Sequence, residues 1–303
     1  MQKVFDRLLA DGFVATHNRH GTVVVERPPH LFHYALVLEA GPEWSRYRRA
    51  LCGEAERLTA AGPARFSIYA DIDARADGPG QERLMTDIAA KRLAGCILDM
   101  HPESLGDNPL LGAPVPKVAL THDSRRADIP SVGGGRDGWL DQALGWLRGR
   151  GRRRVAWLGI PNIMPPAVAE FRRAAARHGF ETRPAWTHAV HPLYPTWAGN
   201  AMDAVFGTAA AVRPDALLIT DDHLAEAATA GLARLKVRIP QNLDIVCLNN
   251  FPLTLTTHVA VRQLGYDARK TLGACLDVLA RLRAGGKIPR KLALLAAEFA
   301  PMP

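Results

Sequence analysis

The stretch from Pro214 to Asn250 constrains the fold more than any other part of the sequence. The apolar run Ala216–Thr220 shows no alternation, which is typical of a strand buried on both faces of a parallel sheet. A helical pattern then extends to about Leu235, and Leu243–Leu248 indicates a second buried strand. These elements predict a β-α-β unit, whose crossover is nearly always right-handed.

Short polar side chains follow both of these strands. Asp221 and Asp222 come directly after the first strand, and Asn249 and Asn250 end the second. Because ligands of open α/β sheets bind outside the carboxyl ends of the strands, we expect a ligand site at this edge. The alternative is that the two pairs only cap helices and turns, since either aspartate is a favourable helix cap.

The remaining sequence alternates strands and helices from about Tyr34 to Phe299, which predicts an α/β fold with two doubly wound parallel sheets. A length of 303 residues is consistent with two domains. The sequence contains no run of about 18 apolar residues, so it predicts no membrane span. The start of the chain is amphipathic and charged rather than a signal peptide, and the four cysteines are widely spaced in apolar contexts. We therefore expect a cytoplasmic location.

Four segments resemble the core of the LacI/GalR family of transcription regulators in order and spacing. They read IPSVGGGRDGWLDQALGWLRGRGRRRVAWLG, PDALLITDDHLAEAATAGL, IPQNLDIVCLNN and VAVRQLGYDARKTLGACLDVLARL. The resemblance extends from about His33 to the end of the chain and implies a two-lobed core like that of periplasmic sugar-binding proteins. It implies an N-terminal lobe of residues 33–132 plus 263–286 and a C-terminal lobe of residues 133–262 plus 290–303, with an effector held between them.

The first 27 residues form a separate pattern of one helix followed by a β-hairpin. The segments VFDRLLADGFV and HGTVVVE resemble the last helix and the wing of a GntR-type winged-helix DNA-binding module. Only this part of the module has a counterpart in the sequence. Three explanations remain open: an extension upstream of residue 1, a fragment, or a degenerate module. The resemblance implies DNA contacts by Arg19, His20 and Gly21; the alternative is an N-terminal arm without a DNA role. Residues 28–32 are a proline-stiffened linker.

Polar side chains at predicted strand ends and two tryptophans are the candidate ligand-binding residues. Sugar sites combine polar groups that pair with hydroxyls and an aromatic ring that covers the apolar face of the sugar. By the resemblance, Asp221 takes the place of a ligand-binding asparagine and Asn249 that of an aspartate that grips sugar hydroxyls. The full set is Asp221, Asn249, Trp197, Trp44, Asp71, His101 and Thr121.

Two positions depart from the LacI/GalR pattern. The arginine that family members commonly place after the Val155–Ile160 strand is missing, because the sequence there is Pro165-Pro166-Ala167. Gly133 stands where an aromatic residue is often found. Both departures argue against an ordinary hexose as the effector.

Other motifs predict no chemistry. The basic run Arg148–Arg154 lacks interleaved aromatic residues and indicates a solvated turn near a helix C-terminus rather than a phosphate-binding segment. Gly133–Gly135 fits a flexible crossing between lobes better than a dinucleotide loop. The histidines have no metal-ligand spacing, and no serine has a nucleophile context, so we expect no metal, no cofactor and no enzymatic activity.

The sequence therefore predicts a DNA-binding transcription regulator whose two-lobed core binds a small polar, sugar-like effector. We expect a homodimer that forms through the helices predicted at Glu43–Ala60 and Gln81–Arg92. The main alternative is a stand-alone sugar-binding protein without a DNA role. An α/β enzyme with a catalytic acid among Asp71, Asp221 and Asp222 is a third possibility, which no base–nucleophile pair supports.

Overall fold

The computed structural model describes residues 2–17, 21–41, 45–62, 64–121, 124, 126–134, 136–161, 166–286 and 291–301, with the backbone alone for 136–137 and 291–294. Trp44, Arg19 and His20 lie outside these ranges. The helices are α1 Gln2–Ala10, α2 Pro29–Phe32, α3 Arg46–Ala61, α4 Pro79–Ala89, α5 Arg136–Gly149, α6 Pro166–Arg177, α7 Trp197–Phe206, α8 Ala225–Arg234 and α9 Ala268–Arg283. No helix in the described part of the chain is long and apolar enough to cross a membrane.

The strands form one hairpin and two six-stranded sheets. They are β1 Val14–His17, β2 Gly21–Val24, β3 His33–Glu39, β4 Arg65–Ile72, β5 Gly95–Asp99, β6 Lys117–Leu120, β7 Ser131–Gly133, β8 Val155–Gly159, β9 Thr187–Ala189, β10 Ala216–Ile219, β11 Asp244–Phe251, β12 Arg262–Asp267, β13 Lys291–Leu294 and β14 Glu298–Phe299.

The chain divides into two compact units. The first unit comprises Met1–Gly133 and Arg269–Leu295, and the second comprises Gly134–Ala268 and Ala296–Pro303. The first contains the hairpin and a wholly parallel sheet in the order β13-β7-β6-β5-β3-β4. The second contains a sheet in the order β14-β12-β11-β10-β8-β9, in which only β14 runs antiparallel to its neighbour.

The unit boundaries differ from the lobe boundaries expected from the sequence. The expected lobe boundary between residues 262 and 263 lies within strand β12, and the chain passes between units at Ala268–Arg269. The last part of the chain, residues 291–299, forms two strands in different sheets. Strand β13 pairs with β7 of the first unit, whereas β14 pairs with β12 of the second, because the chain changes units after Leu295.

The centre of the second unit shows why a continuous apolar run forms a central strand. All four residues of β10 are buried, and alternate side chains point into opposite hydrophobic clusters. Leu217 and Ile219 pack in the cluster that contains α7 and α8, whereas Ala216 and Leu218 pack in the cluster that contains α5 and α6. Helices therefore cover both faces of this sheet, as the absence of alternation predicted.

Helices α7 and α8 approach closely through two glycines. A Cβ atom on Gly231 would lie 3.0 Å from the Cα and the carbonyl oxygen of Gly199. Larger residues at these positions would separate the helices, so the glycines fix how α7 lies against α8 and hence against the sheet.

The basic run lies at the amino ends of the second unit's strands. Arg150 and Arg152 both contact the buried carboxylate of Asp244, at 3.0 and 2.6 Å. The backbone amides of Arg153 and Arg154 donate to Asp215. These contacts tie the turn before β8 to the starts of β10 and β11, so the side chains of Arg150 and Arg152 have a structural role.

The N-terminal helix and hairpin pack on the first unit through a short chain of charged residues. Helix α1 buries no residue. The carboxylate of Asp11, which follows α1, accepts a hydrogen bond from Arg92 Nε at 2.9 Å, and Arg92 Nη1 donates to Asp87 at 2.9 Å. Phe13 stacks on His30 with ring centroids 5.6 Å apart. We call the Asp11–Arg92–Asp87 chain the ionic joint.

Helices α3 and α4, the expected dimer contacts, expose no large apolar side chain among the described residues. The exposed large apolar side chains lie elsewhere and belong to Val4, Phe5, Leu9, Val23, Val24, Leu31, Leu193, Tyr194, Trp197 and Val212. The described residues of these two helices therefore offer no exposed large apolar side chain to the expected dimer contact.

Candidate ligand-binding site

The parallel strands β8, β9, β10 and β11 bring their carboxyl ends to one edge of the second unit's sheet. We call this the carboxyl edge. The segments that follow these strands are 160–165, 190–196, 220–224 and 252–261, of which 162–165 lie outside the described residues. The side chains that reach this edge define the candidate site.

Asp221 and Asp222 have different surroundings although they are adjacent. Asp221 caps the short 3-10 helix 222–224: its Oδ1 accepts hydrogen bonds from the backbone amide and from Nδ1 of His223, at 3.0 and 2.8 Å. Asp222 is buried, and its Oδ2 accepts from Asn250 Nδ2 at 3.0 Å and from the Asn250 amide at 3.3 Å. The cap is thus Asp221, and Asp222 joins β10 to β11.

The three side chains of Asp221, Asp222 and His223 offer ligand atoms within 4.8 Å of one another. Carboxylates only accept hydrogen bonds, so His223 Nδ1, which lies 2.8 Å from Asp221 and 3.6 Å from Asp222, must carry a proton. In this arrangement the three side chains form a hydrogen-bonded cap at the start of the 3-10 helix.

Asn249 lies beside this cluster but is enclosed by the protein. Its side chain is 1% exposed, and Nδ2 donates to the carbonyl of Leu253 and to Gln263 Oε1, both at 2.9 Å. The Leu253 carbonyl can only accept, which fixes Nδ2 on that side and leaves Oδ1 buried without a partner among the described residues. The predicted pairing of Asp221 with Asn249 around one ligand stays a prediction; in this structure Asn249 does not reach solvent.

A cavity of about 400 Å³ lies next to this edge, between β9 and α7. Four of its residues, Trp197, Asn200, Ala201 and Ala204, follow helical spacing and form one face of α7. The remaining lining residues come from β9 and the segment after it: His188, Ala189, Val190, His191 and Tyr194.

Aromatic rings dominate the mouth of this cavity. Trp197 is 65% exposed and Tyr194 64%, although large aromatic side chains are usually covered in a folded protein. The rings of His191 and Tyr194 lie 6.1 Å apart. Exposed aromatic faces beside histidine and amide groups are the composition of a site for a ring-shaped polar ligand.

Sequence reasoning identified Trp197 but missed Tyr194 and did not assign His188 or His191 to a ligand site. The available signal was the run His191-Pro192-Leu193-Tyr194-Pro195, which places exposed aromatic and imidazole groups between a strand and a helix. Which of these side chains face one cavity depends on the packing of α7, and no local pattern gives it.

Other predicted site residues lie in the first unit. The Thr121 hydroxyl is 3.2 Å from His101 Nδ1, so these two predicted residues are brought together at the carboxyl ends of β6 and β5. Asp71 is exposed and has a φ of 59°, a left-handed conformation at the end of β4. Gly21, a predicted DNA contact, is the exposed first residue of β2.

One group at the same edge of the first unit was not predicted. Arg48 Nε donates to Asp99 Oδ2 at 2.8 Å, and its Nη1 donates to the carbonyl of Glu39 at 2.9 Å. Burial raises the pKa of Asp99 to about 6, against the opposing effect of the Arg48 guanidinium and with a further rise from Glu39. This pair holds the carboxyl ends of β3 and β5 together.

A family profile for the periplasmic binding protein-like domain matches residues 145–292. Many solved structures share the fold. The Escherichia coli transcriptional repressor ascG is 14% identical with a TM-score of 0.70, over 89% of this chain and 97% of that one. A regulatory protein of the LacI family from Chloroflexus aggregans is 16% identical with a TM-score of 0.70, over 88% and 96%.

A LacI family transcriptional regulator from Lactobacillus casei with bound glucose is also similar, at 17% identity and a TM-score of 0.62, over 89% of this chain and 98% of that one. No curated protein sequence matches. At these identities the comparisons establish the fold. The chain has the two-lobed α/β fold of periplasmic-binding-protein-like domains with parallel sheets, which confirms the predicted fold class.

Proposed function

We propose that this protein is a ligand-responsive transcription regulator whose core binds a small polar, sugar-like effector at the carboxyl edge of the second unit. The observation that carries the proposal is the cavity beside β9, where the exposed rings of Tyr194 and Trp197 lie next to imidazole and amide groups. The fold is shared with LacI-family regulators, and the Lactobacillus casei regulator was solved with glucose bound.

The cavity has the chemistry that a sugar requires. A sugar ring presents an apolar C–H face, which a flat aromatic ring covers, and hydroxyl groups, which need donors and acceptors at its rim. Trp197 and Tyr194 offer the rings, and Asn200, His188 and His191 offer polar atoms. A volume of about 400 Å³ lies within the range of small-molecule pockets.

Calorimetry with a panel of pentoses, hexoses and their derivatives tests this proposal. We expect Tyr194→Ala and Trp197→Ala each to weaken binding about tenfold, because each removes apolar contact area and a ring–ligand interaction of about 0.5–1.5 kcal/mol. Leu193→Ala is the matched control, since Leu193 is 57% exposed beside the cavity but does not line it. Equal affinities in wild type and both aromatic variants would place the ligand elsewhere.

The regulatory part of the proposal assigns DNA to the N-terminal helix and hairpin, with Arg19, His20 and Gly21 as contacts. Its support is the resemblance of residues 1–27 to a winged-helix tail and the fold shared with regulators. Base readout needs a recognition helix that neighbouring helices hold in the groove, so we expect residues 1–303 by themselves to bind DNA weakly, with strong salt dependence and without sequence preference. A salt-resistant footprint on one sequence would contradict this expectation.

Homodimerisation completes the proposal. Its support is the resemblance to LacI/GalR regulators, because α3 and α4 offer no exposed large apolar side chain among the described residues. Sedimentation that shows a monomer at micromolar concentration, with and without effector, would exclude the dimer.

A further inference from the structure

The amino ends of strands β9, β8, β10 and β11 lie side by side at the edge of the second unit's sheet that is opposite the carboxyl edge. We call this the amino edge. The segments that lead into these strands are 178–186, 150–154, 207–215 and 235–243, and the structure describes all of them. Because neighbouring strands are about 4.8 Å apart, the four strand ends form a row roughly 15 Å long.

Lysine and arginine are concentrated in this row. Its cations are Arg150, Arg152, Arg153, Arg154, Arg183, Arg213, Lys236 and Arg238. The acids of the four segments and of the first residue of β11 are Glu181, Asp215 and Asp244. Eight cations against three acids leave a surplus of five positive charges, in a chain whose net charge is +8. The amino edge therefore carries most of the net charge of the protein.

The helices that end at this edge do not neutralise its charge. Helices α5, α6, α7 and α8 each end where one of the four segments begins. The last turns of α5, α6 and α8 add Arg148, Arg177 and Arg234. The acid in the last turn of α7, Asp203, bonds to Arg234 at 2.6 Å, so it offers no charge to the row.

Half of the eight cations have a structural role. Arg150 and Arg152 bond to the buried carboxylate of Asp244. The guanidinium groups of Arg154 and Arg213 donate to backbone carbonyls that precede β10. Cations at these positions also offset the negative ends of the helix dipoles. A structural role therefore explains part of the surplus and leaves the rest without a function.

Three of the remaining cations face solvent. Arg153, Lys236 and Arg238 are exposed, and their side chains have no hydrogen-bond or ion-pair partner among the described residues. Their segments enter β8 and β11, which are two strand spacings, or roughly 10 Å, apart. The acid nearest in sequence to Arg153, Asp215, is occupied by the backbone amides of Arg153 and Arg154. The fold thus holds unpaired cations in a row on one surface.

The type and spacing of these cations fit a chain of phosphates. Seven of the eight are arginine, whose planar guanidinium group pairs with phosphate oxygens through two parallel hydrogen bonds. Each strand of a DNA duplex carries one negative charge per 3.4 Å of helix axis. A row roughly 15 Å long therefore spans about four phosphates of one strand.

The apolar side chains of the amino edge favour a duplex over two other polyanions. Sites for single-stranded nucleic acid use exposed aromatic rings on which bases stack. Phe180 and Trp186 are buried here, and the Arg183 guanidinium lies 4.7 Å from the centre of the Trp186 ring. Attachment to a lipid surface requires apolar side chains that insert between the headgroups. Val212 alone among the exposed large apolar side chains of the described residues lies in these segments.

We propose that the amino edge of the second unit binds the phosphate backbone of double-stranded DNA without reading its sequence, through Arg153, Lys236 and Arg238. This contact is additional to the one that the proposed function assigns to residues 1–27. Phosphate contacts position a protein on DNA and supply affinity, whereas base contacts supply specificity. The amino edge therefore contributes to affinity and to its salt dependence.

The test measures the affinity for a fluorescent 20-base-pair duplex of arbitrary sequence by anisotropy at a series of salt concentrations. The variant Arg153→Gln/Arg238→Gln removes two phosphate contacts, so the slope of log K against log [salt] should become shallower by about 2. The affinity at low salt should fall roughly tenfold to a hundredfold. Both side chains are exposed and have no partner among the described residues, so circular dichroism melting should show an unchanged fold.

The matched control is Arg172→Gln/Arg173→Gln. These two arginines are exposed in the middle of α6, have no described partner and remove the same charge from the same unit. We expect their loss to change the affinity less than about threefold, because long-range charge alone is screened by salt. An equal loss in both double variants, or no loss in Arg153→Gln/Arg238→Gln, would overturn the inference.

Two further measurements separate this contact from other partners and from the N-terminal segment. Tighter binding to a single strand of the same length, or to vesicles that contain phosphatidylserine, than to the duplex would overturn the inference. Arg19→Gln/His20→Gln removes the DNA contacts predicted in residues 1–27, and its effect should add to that of Arg153→Gln/Arg238→Gln. Loss of DNA affinity in Arg19→Gln/His20→Gln alone would overturn the inference and leave the proposed function intact.

Discussion

The ionic joint is expected to hold the N-terminal helix and hairpin on the first unit. Helix α1 has no buried residue, so apolar packing contributes little to its attachment. The side chain of Asp11 is 6% exposed and bonds to Arg92, which itself is 34% exposed and also bonds to Asp87. Asp87 in turn accepts from the Tyr69 hydroxyl at 2.6 Å, which anchors the joint to β4.

The substitution Asp11→Asn removes only the charge on the N-terminal side of the joint. A charge-assisted hydrogen bond contributes about 1.5–3 kcal/mol, and the partial exposure of Arg92 reduces this value through solvent screening. We therefore expect the free energy of local opening of residues 2–17 to fall by about 1–2 kcal/mol, a factor of roughly 5–30 in the opening equilibrium.

Hydrogen exchange followed by mass spectrometry measures this change directly. Peptides from residues 2–17 should exchange roughly 5–30 times faster in the variant, while peptides from β3 keep their protection. Asp6→Asn is the matched control, because it removes the same charge from α1, and among the described residues Asp6 bonds only to Gln2 of the same helix. If Asp11→Asn exchanges like Asp6→Asn, the joint does not hold the N-terminal segment.

Two further predictions concern stability. Gly231→Ala should lower the free energy of unfolding, measured by urea titration, by about 1–3 kcal/mol, because the added methyl group would lie 3.0 Å from the backbone of Gly199. Gly273→Ala in α9 is the control: its methyl group meets no atom within 4 Å, so the variant should be as stable as the wild type or more stable. Burial, and to a smaller extent the charge of Arg65, lowers the pKa of His33 from 6.5 to about 4 in the folded protein. Between these two pH values the unfolded chain binds a proton that the folded protein does not. The free energy of unfolding should therefore fall as the pH drops from 6.5 towards 4. His33→Gln should therefore remove about 1 kcal/mol of this pH dependence at roughly pH 5, and an unchanged dependence would show that His33 is not its source.

The class of fold was predictable because its signal is local. Four consecutive buried residues in β10, followed by a capping aspartate and an amphipathic helix, define a β-α-β unit without knowledge of the rest of the chain. The placement of Asp221 at a carboxyl edge follows in the same way, since parallel strands end at a common edge.

The partners of the polar residues were not predictable from the sequence. Four short polar side chains end β10 and β11, and their types alone do not say which ones pair. The parallel register that places Ile219 beside Cys247 brings Asp222 to Asn250 and leaves Asp221 with His223. The packing of the surrounding chain then buries Asn249.

The sequence by itself determined that the chain alternates buried strands with covering helices, because hydrophobic periodicity is a property of the local sequence. Only the tertiary structure decided that Tyr194 and Trp197 share a cavity with His188, and that residues 291–299 divide between two sheets. These contacts join residues that are distant in the sequence or separated by a turn. The local sequence pattern allows many pairings equally well, and strand register and helix packing determine which of them form.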